Sequence, residues 1–229
     1  MDSILANAPQ VHPGAVSELG EVWATERDCY AFLAEHCEPG SRTLETGLGV
    51  STALFASWQT EHICVVPDAD QVERCLAYCR DNGIDTQSLR FELARSDEAL
   101  PGLDLPALDA VLVDGGHGFP STIIDWYYAG SRLRRGGVIV FDDIQLPHVG
   151  LGLLPFLDAD PRWRRVAMTD KWVAYRKERE GSLYDHHLDQ PFLHRAWRAR
   201  GLVARVRYVA RTGPVTAVRR KYGRGARST

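Results

Sequence analysis

The chain has 229 residues, 45% hydrophobic and 25% charged, with a formal net charge of −3 at pH 7. That suits one globular domain with a substantial core, and no stretch approaches the roughly 18 apolar residues of a membrane span. Met1–Gln10 lacks a basic start followed by an apolar run, so a cytoplasmic protein without a signal peptide is expected.

Five cysteines, at 29, 37, 64, 75 and 79, form no C-x-x-C pair. They indicate neither a disulfide framework nor a zinc site and read as small core residues. Cys75 and Cys79 stand one helical turn apart, and His186-His187 lies between Asp185 and Asp189. Both carry metal-ligand types, but a pair of buried thiols and a solvated loop account for them.

In chain order, residues 15–37 predict a helical lead-in that carries Val22, Tyr30, Leu33 and Cys37 inward and ends at Pro39-Gly40. The stretch Thr43-Leu-Glu-Thr-Gly-Leu-Gly-Val-Ser-Thr52 then reads as a strand, a glycine turn and a helix start. Gly47 and Gly49 permit positive φ and close approach of a ligand, while the helix start, with Ser51, offers free N–H groups to a carboxylate or phosphate. A dinucleotide fingerprint asks for a small residue where this chain has Thr52, which weakens a pyrophosphate reading.

A second strand is expected at residues 62–66, followed by a helix opened by a capping-box-like Asp70-Gln-Val-Glu73 and stopped by Asn82-Gly83. A third strand is expected at 89–93. Leu108-Asp-Ala-Val-Leu-Val-Asp114-Gly-Gly-His117 is a buried strand ending in an acid, glycines and a histidine. A helical stretch opens at Pro120-Ser121 and runs through Arg134. Gly136-Gly137-Val-Ile-Val-Phe-Asp142-Asp143 is a further buried strand ending in two acids. After a Pro- and Gly-containing segment and a turn or two of helix, residues 163–168 and 172–176 predict a hairpin. In open parallel sheets ligands bind outside the carboxyl ends of the strands, so Asp114, Asp142 and Asp143 are expected at one rim.

These blocks resemble class I S-adenosylmethionine-dependent methyltransferases. Leu44-Glu45-Thr46-Gly47-Leu48-Gly49 is similar to their first motif, and Asp114-Gly-Gly-His117 with Asp142-Asp143 to a group with Asp-Gly-x-His and Asp-Asp strand ends, related to small-molecule O-methyltransferases. The resemblance covers about residues 41–176. It implies an α/β fold: a three-layer, doubly wound, mostly parallel seven-stranded sheet, Rossmann-like, with a terminal antiparallel hairpin. Three segments are expected: residues 1–40 as a helical lead-in that is part of the same domain, 41–178 as the S-adenosylmethionine-binding methyltransferase domain and 179–229 as a basic C-terminal extension.

The resemblance further implies that Glu45, Gly47, Gly49 and Ser51 seat the methionine end of S-adenosylmethionine. Asp68, or Asp70, would meet the ribose, although the family's acid falls where this chain has Pro67. Ser96 and Asp97 would lie at the adenine, and Asp114 at the cofactor side. In catechol-type and macrolide-sugar relatives, acids at these strand ends bind magnesium, which lowers the pKa of the acceptor hydroxyl. That makes Asp114, Asp142 and Asp143 a candidate set for Mg²⁺ or another divalent cation; the alternative is that Asp142 and Asp143 cap loops. The sugar-modifying group has a further aspartate where this chain has Gly116, which leaves His117 as the candidate general base, or else a structural turn residue.

The implied activity is methyl transfer to a small-molecule acceptor, a hydroxyl oxygen of a sugar or phenolic secondary metabolite. Two alternatives are a nucleotide-cofactor oxidoreductase or epimerase, disfavoured by Thr52, by the terminal hairpin and by the lack of a Tyr-x-x-x-Lys pair, and a non-catalytic protein that holds an anionic partner. From Pro161 onward 18 Lys and Arg stand against 5 Asp and Glu, whereas residues 1–160 carry 9 against 25. This basic tail either neutralises the acidic body, within the fold or across a homodimer, or contacts an anionic substrate, carrier protein, RNA or membrane surface. Nucleic acid is disfavoured because no RNA-binding signature is present.

Overall fold

The computed structural model describes residues 1–12, 25–181, 186, 190–193, 201–203, 206–207 and 210. Of the expectations above, those on Val22, Asp185, His187, Asp189 and most of the basic tail lie outside the described residues. The chain divides into two units, Met1–Leu183 and Tyr184–Thr229. In the second, residues 191–193, 201–203, 206–207 and 210 are helical, with Leu202, Val203 and Val206 exposed. Among the described residues no helix is long and apolar enough to cross a membrane.

The first unit opens with α1 (Asp2–Ala6) and α2 (Arg27–His36), then runs β1 (Arg42–Thr46), α3 (Val50–Ser57), β2 (Glu61–Val65), α4 (Ala69–Asp81), β3 (Leu89–Glu92), α5 (Ser96–Ala99), β4 (Leu108–Val113), α6 (Ser121–Arg132) and β5 (Leu133–Phe141). A π-helical stretch, His148–Leu153, leads into α7 (Leu154–Ala159), and the hairpin β6 (Trp163–Met168) and β7 (Val173–Lys177) closes it. The seven strands lie in the order β3-β2-β1-β4-β5-β7-β6, all parallel except β7, which is antiparallel to both of its neighbours. This is the expected doubly wound α/β sheet with its terminal hairpin.

Both faces of the central strands are buried, as a covered parallel sheet requires, so their sequences read as continuous apolar runs. On β4, Val111 and Val113 pack with Ile139, Phe141, Trp126 and Leu157 on the α6–α7 side. Ala110 and Leu112 pack with Val138, Val140, Cys29, Leu33 and Phe55 on the α2–α3 side. All five cysteines are buried and unbridged.

Three boundaries differ notably from expectation. The helix expected through Arg134 ends at Arg132, because Leu133 already opens β5. Glu26 is extended (φ −75°, ψ 152°) and α2 begins only at Arg27, so the described part of the lead-in is helical over ten residues, with Cys37 already outside the helix. Helix α4 starts before the Asp70–Glu73 box, because Asp68 is its N-cap: its Oδ1 accepts from the backbone N of Asp70 (2.9 Å) and Gln71 (3.3 Å).

Candidate functional site

The strand order reverses between β1 and β4, and a crevice opens where the connections leave in opposite directions. Ladder hydrogen bonds continue just past the strand ends: Gly47 N to Val65 O (3.0 Å), Asp114 N to Thr46 O (3.1 Å) and Asp142 N to Val113 O (3.1 Å). Three turns distant in sequence are thereby fixed along one rim. They border a cavity of about 660 Å³, within the range of small-molecule sites.

Gly47, Leu48, Gly49, Val50 and Ser51 line one end of the cavity, at the start of α3; Ser96 and Asp97, at the start of α5, line another part, with Pro67 between β2 and α4 and Gln71 in the first turn of α4. Asp114, Gly116, His117, Asp142 and Asp143 line the rest. Gly47 takes φ +89°, a conformation L-residues rarely adopt. Of the expected cofactor residues, Gly47, Gly49, Ser51, Ser96, Asp97 and Asp114 therefore share one cavity. Glu45 and Asp68 do not line it.

Glu45 is buried behind the turn. Its carboxylate accepts a short hydrogen bond from Thr52 Oγ1 and lies 3.1 Å from His62 Nε2. Thr52 Oγ1 in turn accepts from Gly49 N at 3.3 Å. Side chains alternate along a strand: Thr43 and Glu45 point to the side where His62 stacks on Phe55, while Thr46 points to α6 and donates to Asp125 at 2.8 Å. Glu45 and Thr52 thus brace the glycine turn from behind and explain why a threonine replaces the third small residue. Asp68 is committed to capping α4.

The acidic end is compact. One carboxylate oxygen each from Asp114, Asp142 and Asp143 lies within 4.8 Å of the others. Asp143 adopts φ +53°, unusual for a non-glycine residue, and its carboxylate lies 3.0 Å from His117 Nδ1 and accepts from Gln145 Nε2 at 2.8 Å. The histidine holds the Asp143 carboxyl down at about 2, and Asp143 in turn raises the His117 pKa. Burial, with Asp142 and Asp143 nearby, pushes Asp114 well above the usual carboxylate range. Burial also raises Asp142, against Lys171 and the hydrogen bond that Thr25 Oγ1 donates to its Oδ1 at 2.8 Å. Hard carboxylate oxygens this close are a donor set that a divalent cation fits.

Three participants went unread in the sequence. Thr25 precedes α2; Tyr30, taken for a core residue, is buried and also lines the cavity; Lys171 sits in the β6–β7 turn, its Nζ 3.5 Å from Asp142 Oδ2 and 3.8 Å from Asp143 Oδ1. All three reach the site through long-range packing, which leaves no local motif.

Residues 44–144 match the family model described as a methyltransferase domain. The match takes in both the glycine turn and the acidic strand ends, and the resemblance to class I S-adenosylmethionine-dependent methyltransferases holds on the residues that suggested it. Among solved structures, cofactor-bound Rv0187 from MTB is 21% identical with a TM-score of 0.60, over 79% of this chain and 92% of that one. The O-methyltransferase TomG from Streptomyces achromogenes, involved in tomaymycin synthesis and solved with S-adenosylmethionine, is 18% identical with a TM-score of 0.60, over 78% and 91%. An rRNA methylase from Streptococcus thermophilus is 15% identical with a TM-score of 0.53, over 69% and 100%. No curated protein matches the sequence. At these identities the structures share the fold, and together with the family match they support an S-adenosylmethionine-dependent methyltransferase.

Proposed function

We propose that this methyltransferase acts on a hydroxyl oxygen of a small-molecule acceptor, a sugar or phenolic part of a secondary metabolite, in the cytoplasm. The observation that carries the reading is the placement of the His117–Asp143 pair and the three-acid cluster in the same cavity as the Gly47–Gly49 turn. Likeness to TomG, named as an O-methyltransferase, supports it. The acidic rim favours a small molecule over RNA, whose phosphates three carboxylates would repel.

In this reading the backbone N–H groups at the start of α3 and the hydroxyl of Ser51 receive the carboxylate end of the cofactor. Ser96, Asp97 and Gln71 supply polar contacts for its nucleoside. Asp114, Asp142 and Asp143 would hold a divalent cation. Bound S-adenosylmethionine supplies a methyl group already activated on sulfur, and a bound cation supplies Lewis acidity toward the acceptor hydroxyl. His117 accepts the hydroxyl proton: with Nδ1–H held by Asp143, the neutral ring keeps its lone pair on Nε2. The basic C-terminal segment serves as counter-charge to the acidic body, within one chain or across a homodimer.

The test is calorimetry with S-adenosylmethionine, followed by S-adenosylhomocysteine release on a panel of catechols, phenols and glycosides with Mg²⁺ present. Cofactor binding and turnover with at least one hydroxyl acceptor are expected. Absence of cofactor binding, or turnover only with RNA, overturns the proposal.

A further inference from the structure

Lys171 is not an ordinary surface lysine. Its turn is tied on several sides: the Lys171 carbonyl accepts from Ile144 N at 2.9 Å, directly after Asp143, and Thr169 Oγ1 accepts from the backbone N of Lys171 and Trp172, both at 3.1 Å. Thr169 Oγ1 also donates to Glu26 Oε2 at 3.0 Å, and Trp172 Nε1 donates to Asp28 Oδ1 at 2.8 Å, so the hairpin is pinned to the N-terminal end of α2. From this anchored turn the ammonium lies 3.5 Å from Oδ2 of Asp142, whose side chain is only 2% exposed.

Charge makes this placement consequential. Three carboxylates with oxygens within 4.8 Å of each other repel unless protons or cations relieve them. His117 on Asp143 and Lys171 on both Asp142 and Asp143 already supply two positive groups from the chain itself. A divalent cation entering among the same oxygens meets a like charge a few ångströms away, in a cleft where screening is weaker than in bulk water.

We propose that Lys171 is a built-in counter-cation of the acid cluster: it keeps Asp142 and Asp143 side by side without a metal and, by competing for the same oxygens, sets how tightly the site takes a divalent cation. Lys171 is thus a positioning residue that acts through the two aspartates. The inference rests on the metal-ligand reading of Asp114, Asp142 and Asp143 given above.

The experiment is a Mn²⁺ titration of the full chain followed by electron paramagnetic resonance, without cofactor or acceptor, on the wild type, K171M, K171Q and K171R. Loss of the charge in K171M and K171Q should tighten Mn²⁺ binding at least about tenfold, and K171R should stay within about threefold of the wild type. Equal or weaker binding in K171M and K171Q overturns the proposal, as does absence of Mn²⁺ binding in every variant. Should K171M fail to fold by circular dichroism, K171Q, which keeps a polar side chain of similar reach, decides alone. S-adenosylmethionine affinity, measured separately by calorimetry, tests the methyltransferase reading: its absence would remove that reading and leave the Mn²⁺ comparison standing.

Discussion

Gly47 and Asp114 meet backbone to backbone: a Cβ on Gly47 would lie 2.9 Å from the Asp114 carbonyl carbon and closer still to its oxygen. The glycine turn after β1 and the acidic turn after β4 are therefore mutually fitted, and neither end of the cavity can shift without the other. Gly47→Ala adds this clash to a positive φ, and we expect a loss of about 2–4 kcal/mol in stability, read by urea denaturation. Gly49 differs, since its added Cβ meets only Ser51 Oγ at 3.8 Å. Gly49→Val should melt near the wild-type temperature yet lose S-adenosylmethionine binding by calorimetry, because its bulk projects into the cavity; retained affinity would move the cofactor away from this turn.

The His117–Asp143 pair gives the site a pH signature. Asp143 holds the imidazolium, so the His117 pKa lies above its usual 6.5, and a base that must be neutral then works only at higher pH. In the metal-free protein the His117 imidazole should titrate above 6.5 when followed by NMR, and Asp143→Asn should move that profile down. His117→Ala should lower kcat by about 10²–10⁴-fold with cofactor affinity preserved. The stability terms have opposite signs. The histidine's contribution is complete below 6.5 and is lost as pH rises through its raised folded value. That of Asp143 is complete above the usual 3.8 and is lost as pH falls toward about 2. An unchanged titration in Asp143→Asn, with native kcat in His117→Ala, would return His117 to a structural role.

If Asp114, Asp142 and Asp143 hold a divalent cation as proposed, turnover depends on it. Excess chelator should stop turnover and Mg²⁺ should restore it, and Asp142→Asn should lower activity at least about 100-fold. Full activity in chelator would leave proton removal to side chains alone.

Asp125 tests the packing beneath the site. It is fully buried on α6, accepts from Thr46 Oγ1 at 2.8 Å, and keeps its Oδ1 without a hydrogen-bond partner. Burial raises its pKa, against the nearby hydroxyls of Ser96 and Thr46. The native state therefore holds this proton more tightly than the unfolded chain, and stability declines as pH rises through the window above 3.8. Asp125→Asn should flatten that decline in urea denaturation between pH 4 and 8, whereas an undiminished slope would assign it to other groups.

Much of this arrangement was legible because strand ends in a parallel sheet share a rim: Gly47, Asp114, Asp142 and Asp143 follow from buried apolar runs that stop at glycines and acids. Glu45 could have been placed by the same means, since period-two alternation sets it with Thr43 and opposite Thr46. The family pattern drew attention to its charge instead of its register. Asp68 shows the same competition, between a motif position and the local need of a helix start for a cap. Thr25, Tyr30 and Lys171 were beyond reach, because a helix and a hairpin brought in from both ends of the domain deliver them, and neither periodicity nor spacing encodes that docking.

The antiparallel insertion of β7 between β5 and β6 decides what reaches the acidic rim from the C-terminal side. Because β7 runs against its neighbours, a hairpin bend, not a strand terminus, arrives beside Asp142 and Asp143. Thr25, Tyr30 and Lys171 all fall outside residues 44–144, the part matched to the methyltransferase domain. The matched part thus supplies the glycine turn and the acidic strand ends, while Thr25, Tyr30 and Lys171 reach the same rim from segments on either side of it.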